Sequence, residues 1–163
     1  MSVQTSVALD FEAAIAGLPR QVVRTHDRIA EVVIQSGVLV CQGTADSQCK
    51  LPTSEAEVGK ALGVAPSRVT SDSGFPTTNT AGSTYQIGDN LGAIADGNVW
   101  VPVEDAVTAG GTPYIRVSSN GGRTQKGAFR SDGDSGSAFA LSGARYLTST
   151  SGSGLALVAL NIP

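Results

Sequence analysis

Charge, aromatic rings and cysteine are all scarce in this chain. Only 15% of its 163 residues are Asp, Glu, Lys or Arg, against about 25% in average soluble domains. The surface is therefore neutral and rich in small residues, and such a surface can be buried on a partner with little ionic desolvation. The 14 acidic residues outnumber the 11 basic ones, for a formal charge of −3. That balance excludes a protein that grips phosphate backbones, since such binding needs many Lys and Arg to release counterions. No nucleic-acid partner is expected. Arg20, Arg24 and Arg28 are the nearest approach to a basic cluster; their four-residue spacing would align them on one helical face, read as solvated.

Two cysteines, Cys41 and Cys49, and one histidine, His26, are too few and too loosely spaced for a zinc site. No metal or cofactor is expected, and in a reducing cytoplasm the thiols are expected to be free. No apolar run reaches the roughly 18 to 20 residues that span a bilayer, so no membrane partner is expected. Residues 1–10 lack the basic start and apolar stretch of a secretory signal. Synthesis in a cytoplasm is the matching expectation.

What is abundant is turn chemistry. From Tyr85 onward, short β-prone runs are punctuated by Asp96-Gly97, Asn120-Gly121, Asp132-Gly133 and Ser151-Gly152-Ser153-Gly154. Asp-Gly and Asn-Gly tolerate positive φ and are the strongest local hairpin signals. Asp96-Gly97 thus predicts a hairpin between 91–95 and 98–104. Within the second run Val99, Val101 and Val103 share one face and Trp100 and Pro102 the other, and Pro102 implies an edge strand or a bulge. The runs 112–117, 126–130 and 137–141 read as a meander. The nearly continuous apolar run 155–162 reads as a strand buried on both faces, preceded by 144–150.

The first half is less regular. Residues 28–34 and 38–42 read as strands around Ser36-Gly37, and 62–65 as a short one. Helix is restricted to a turn or two from Ser54, where Ser54 and Glu57 have capping-box spacing and Gly59 intervenes, and to a turn at Phe11–Gly17. The stretch 71–83 reads as a long polar loop, and long loops in compact domains commonly bind something. The fold class is accordingly mainly β, a compact barrel or sandwich-like domain of hairpins and a meander. An extended amino-terminal arm (1–19) precedes a β-rich domain (20–163).

Catalytic signals are weak. Gly133-Asp134-Ser135-Gly136 matches the nucleophile motif of chymotrypsin-like proteases, but a triad needs a base and only His26 is available. A serine hydrolase around Ser135 is the weakest rival, and a β-turn explains the motif. Glu55 with Glu57, and Glu104 with Asp105, read as solvated pairs. Gly-rich segments lack the lysine of a phosphate-cradling loop. An adhesin-like or carbohydrate-binding module would want aromatic platforms that are missing here. Another virion structural part is the remaining rival.

The series of segments carries a resemblance. Asp46-Ser47-Gln48-Cys49-Lys50-Leu51-Pro52 leads to 61–65, then to Gly97-Asn98-Val99-Trp100-Val101-Pro102-Val103, Thr112-Pro113-Tyr114-Ile115-Arg116-Val117, Lys126-Gly127-Ala128-Phe129-Arg130 and Ala144-Arg145-Tyr146-Leu147. From Ile15 to Pro163 this series resembles the structural cement, or head decoration, proteins of tailed bacteriophages. The resemblance implies a non-enzymatic virion protein on the capsid exterior, made in the host cytoplasm, that binds the outer face of the major capsid protein lattice as an oligomer and brings no catalytic or metal residues. Symmetry favours a homotrimer at threefold positions, with a homodimer as the alternative. The residues expected to contact the capsid or another copy are Ala14, Ile15, Leu18, Phe75 and Trp100.

Overall fold

The computed structural model describes residues 16–67 and 84–163. Among the described residues twelve strands, one short α-helix and one turn of 3-10 helix follow in order: β1 (Pro19–Ala30), β2 (Ile34–Gln35), β3 (Leu39–Gln42), β4 (Gln48–Lys50), α1 (Glu55–Val58), β5 (Ala61–Val64), β6 (Thr84–Tyr85), β7 (Asn90–Val103), β8 (Tyr114–Arg116), β9 (Phe129–Arg130), the 3-10 turn (Asp134–Gly136), β10 (Ala138–Ala140), β11 (Ala144–Tyr146) and β12 (Gly154–Asn161). The fold is mainly β, as expected. One turn of helix forms, within the turn or two expected, and Gly59 follows it as the C-cap rather than lying inside it. The capping box does not close, because Glu57 instead accepts from Thr53 N–H at 2.6 Å, one residue further back.

β7 is the spine. Over residues 90–99 one edge pairs with β1, and at Val103 that edge takes β9. The opposite edge pairs with β5 at Ile94 and with β12 over residues 96–103. β1 also meets β4, β4 meets β3 and β3 meets β5, so five strands close into a ring of pairings through β7. β9, β8 and β10 extend one side, and β11 extends β12.

Side chains alternate between two cores, as the pleat requires. Val38 and Val40 join Ala30, Ile34, Leu91 and Ala93 in one cluster. Leu39 joins Val64, Ile94, Val99, Val101, Val103, Phe129 and Val158 in the other. Burial of Val99, Val101 and Val103, with Trp100 and Pro102 half-buried, matches the expected alternation. Pro102 is not on an edge strand. It lies where one edge of β7 passes from β1 to β9, a gap in the ladder that leaves room for a residue without an N–H.

The Asp96-Gly97 hairpin does not form. β7 runs straight through it, since β12 and β1 grip residues 96–99 from both sides. Gly97 has φ 137, and a Cβ there would collide with the Gln21 carbonyl. On β1, Val22 pairs with Gly97 and Arg24 with Asp96, so Val23 is the extra residue of a bulge. The glycine thus serves close strand approach rather than a reversal. Arg20, Arg24 and Arg28 lie on this strand and not on a helix.

The carboxyl-terminal half fits its punctuation better. β8 and β9 pair antiparallel, and the chain between them turns at Asn120-Gly121-Gly122-Arg123 with positive φ at both glycines. β10 pairs with β8 rather than β9, so the expected meander is out of sequential order. β11 and β12 form the expected hairpin.

Candidate functional site

The ends of three neighbouring strands bring several charged side chains together. Glu104 follows β7, Arg130 ends β9 and Arg116 ends β8. Both arginines are almost wholly buried. Arg116 Nε donates to both Glu104 oxygens at 2.8 Å, its Nη2 to Asp134 Oδ2 at 2.6 Å and its Nη1 to the Ser118 carbonyl at 2.9 Å. Arg130 reaches Asp134 at 2.7 Å, Asp132 at 2.7 Å, Asp105 at 3.2 Å and Glu104 at 3.5 Å. Glu104, and to a lesser degree Asp134, raise the Arg116 pKa further. In return Arg116 holds the Asp134 carboxyl below its usual value. The expectation that Glu104 and Asp105 are solvated is therefore corrected: both are half-buried members of an ion-pair network, Asp105 also accepting from Ser131 N–H at 2.9 Å.

This network disposes of the protease-like motif. Asp134, at φ 42, and Ser135, at φ 56, are both left-handed, a strained conformation for residues with a Cβ. The strain is held by Arg116 and by the Ala138 N–H, which donates to Gly133 at 3.1 Å. Ser135 is exposed, and among the described residues no hydrogen bond joins it to His26, which lies on β1. Asp134 of the motif is bound to a buried arginine. Among the described residues no group of three or more His, Cys, Asp or Glu is arranged to hold a metal. The carboxylates that cluster here are already matched by arginines.

Reactive potential is low elsewhere too. Cys41 and Cys49 are free and fully buried. Burial pushes the Cys41 thiol up to about 12 and the Cys49 thiol to about 11, away from the thiolate form that reacts. An open groove of about 670 Å³ between α1, β5 and β10 has Lys60 as the one charged side chain in its lining. None of the described helices is long and apolar enough to cross a membrane.

The surface carries a different signal. Val22, Val23, Ile29, Val32, Val33 and Ile87 are large apolar residues left exposed, Val23 at 65% and Ile87 at 70%. The turn that presents Ile87 is bonded to the end of β1, where Gly88 N donates to Ala30 O and Ala30 N to Asp89 O, both at 2.9 Å. These residues lie on β1 and the stretch around its end, with Arg24, Thr25, His26, Asp27 and Arg28 between Val23 and Ile29. Sequence reasoning missed these exposed apolar side chains. A partial signal was available in Val22-Val23, because adjacent residues of a strand point to opposite faces and one of the pair must leave a one-sided core.

Of the five expected contact residues, Ala14, Ile15 and Phe75 lie outside the described residues. The structure brings the other two together. Trp100 N donates to Leu18 O at 3.1 Å, and both side chains are half-buried. Of the arm expected over 1–19, Gly17 and Leu18 hold backbone bonds to Trp100 and Ser67, and Pro19 opens β1.

Residues 3–161 match the model of the structural cement protein family (E217 gp24/Pam3 gp6). The chain belongs to this family. A chain from the structure of the capsid of Myoviridae Phage XM1 is similar in fold, with a TM-score of 0.68 and 16% identity, over 99% of the cement protein and 98% of that chain. No curated protein sequence matches. The cement protein is a structural part of a phage capsid, as the series of segments implied.

Proposed function

We propose that this cement protein binds the outer face of the assembled major capsid protein lattice as a homotrimer and stabilises the head. The observation that carries the reading is the family match across nearly the whole chain. The sparsely charged surface, with Val22, Val23 and Ile87 exposed, is consistent with it, because such a surface can be buried on a partner with little ionic desolvation.

The mechanism needs only area and symmetry. A closed oligomer that touches several capsid subunits makes its later contacts intramolecular, so modest contacts give high avidity. Binding the lattice but not its separate subunits stabilises it by RT ln(1 + [L]/Kd) per site. Residues 1–19 act as the arm of this attachment, with Ala14, Ile15, Leu18, Phe75 and Trp100 at capsid or trimer contacts. No catalytic group takes part.

Co-sedimentation with expanded and unexpanded heads tests the proposal. Retention on expanded heads, at a copy number comparable with that of the major capsid protein, is expected. Equal retention on unassembled capsid subunits, or none on heads, contradicts it. Native mass measurement giving only monomer contradicts the trimer.

A further inference from the structure

Of the dipeptides that punctuate the second half, Asn120-Gly121 carries chemistry that a turn alone does not use. The carbonyl carbon of an asparagine side chain is an electrophile, and the peptide nitrogen that follows it is the nearest nucleophile in the chain. Asparagine counts among the thermolabile residues. A following glycine offers the least hindered nitrogen, because it has no Cβ and its backbone rotates freely.

The fold singles out this pair. Among the described residues Asn90, Asn98 and Asn161 lie in β7 and β12, paired with neighbouring strands and followed by the bulky Leu91, Val99 and Ile162. Asn120 instead opens a two-residue turn, exchanging main-chain bonds with Arg123 at 3.1 and 3.0 Å across Gly121 at φ 56 and Gly122 at φ 83. Residues 121–124 are exposed, and a Cβ added to Gly121 would meet nothing within 4 Å. Among the described residues the Gly121 N–H has no acceptor. The attacking nitrogen therefore has no hydrogen bond to break, and water reaches it. The amide under attack is held by one contact, Asn120 Nδ2 donating to the Asp134 carbonyl at 3.3 Å. Asp96-Gly97 and Asp132-Gly133 share the glycine but present a carboxylate, a poorer electrophile than an amide, and Gly97 is gripped by β1 and β12.

We propose that Asn120 is a site of self-modification by deamidation. Gly121 N forms a bond to Asn120 Cγ, the Cγ–Nδ2 bond breaks, and the side-chain nitrogen leaves as ammonia with the proton that Gly121 loses. Water then opens the five-membered imide at either carbonyl, giving aspartate or isoaspartate, and is the only co-reactant consumed. The product no longer donates to the Asp134 carbonyl, which belongs to the left-handed pair Asp134 and Ser135. It also sets a carboxylate on the residue bridged to Arg123, the cation that lies 4.0 Å from Asp105. Modification thus adds negative charge beside the buried ion network. None of this depends on capsid attachment, so the head-binding assay above can succeed or fail independently of it.

Full-length protein held folded at 37 °C, at pH 6 and at pH 9, and then digested for peptide mass mapping tests the proposal, with an isoaspartate-specific methyltransferase supplying the label. The peptide containing residue 120 should gain the mass of an amide-to-acid exchange and take the methyl label. Both changes should be faster at pH 9, because the nitrogen attacks in its deprotonated form. Asn120→Gln, which would have to close a six-membered ring, should lose them. Conversion at residue 120 in the urea-unfolded chain but not in the folded protein would show that the hairpin shields the pair, and would overturn the proposal. No conversion in either state, conversion confined to Asn90, Asn98 or Asn161, or a label undiminished in Asn120→Gln overturns it as well.

Discussion

Arg116→Met tests whether the buried ion network holds the β7, β9 and β8 ends together. Methionine keeps much of the stem volume and deletes the guanidinium, leaving Glu104 and Asp134 without the partner that contacts them at 2.8 and 2.6 Å. Arg130 compensates in part, being 3.5 Å from Glu104 and 2.7 Å from Asp134. Removing one partner of a buried pair costs about 3–5 kcal/mol, and the remaining contacts of Arg130 place this variant at the lower end. For a chain of this size about 1 kcal/mol moves Tm by about 2–4 °C, so a fall on the order of 10 °C is expected. Urea unfolding followed by the fluorescence of Trp100, the single tryptophan, gives the free energy directly. A loss under about 1 kcal/mol, the range of exposed ion pairs, would refute the reasoning. The double variant Arg116→Met with Glu104→Leu should regain part of the loss, because paired apolar replacements remove the stranded charge along with its partner.

Acid should weaken the fold in a defined window. The Glu57 carboxyl is held at about 2 by Lys50 and then by Thr53, against an ordinary value of 4.5. Its contribution is full above pH 4.5 and is lost as pH falls from there toward 2, so Glu57→Gln should flatten that limb of a stability-against-pH curve; an unchanged limb contradicts the assignment. Buried thiols predict that Ellman's reagent at pH 8 finds neither Cys41 nor Cys49 in the native protein and both after unfolding. Rapid native labelling would contradict their burial. Gly97→Ala should destabilise by about 1–3 kcal/mol, because φ 137 strains any side chain and the Gln21 carbonyl occupies the space. A neutral result in urea unfolding would show that β1 can shift away.

The carboxyl-terminal half was legible because its turns are local. Asn120-Gly121 and Ser151 to Gly154 act within their own neighbourhoods, and the runs beside them pair with each other. Asp96-Gly97 misleads for the opposite reason. The same positive-φ tolerance that makes a hairpin also lets a distant strand approach closely, and only β1 reveals which use applies. β1 itself was masked by its bulge, since Val22-Val23 breaks the two-residue period. Arg116 and Arg130 were illegible for a related reason. Arginine is rarely buried without partners, and the partners here come from chain positions 104, 105, 132 and 134, brought into reach by pairing order. The series of segments conveyed the family where no single motif did, since a contact surface has no signature comparable with a triad.

Heat-induced rupture of purified heads, prepared with and without this protein, tests the central claim most directly. Heads carrying the cement protein should release their contents at a higher temperature, and adding the purified protein back to bare heads should restore the difference in proportion to occupancy. Identical rupture temperatures at full occupancy would contradict the account.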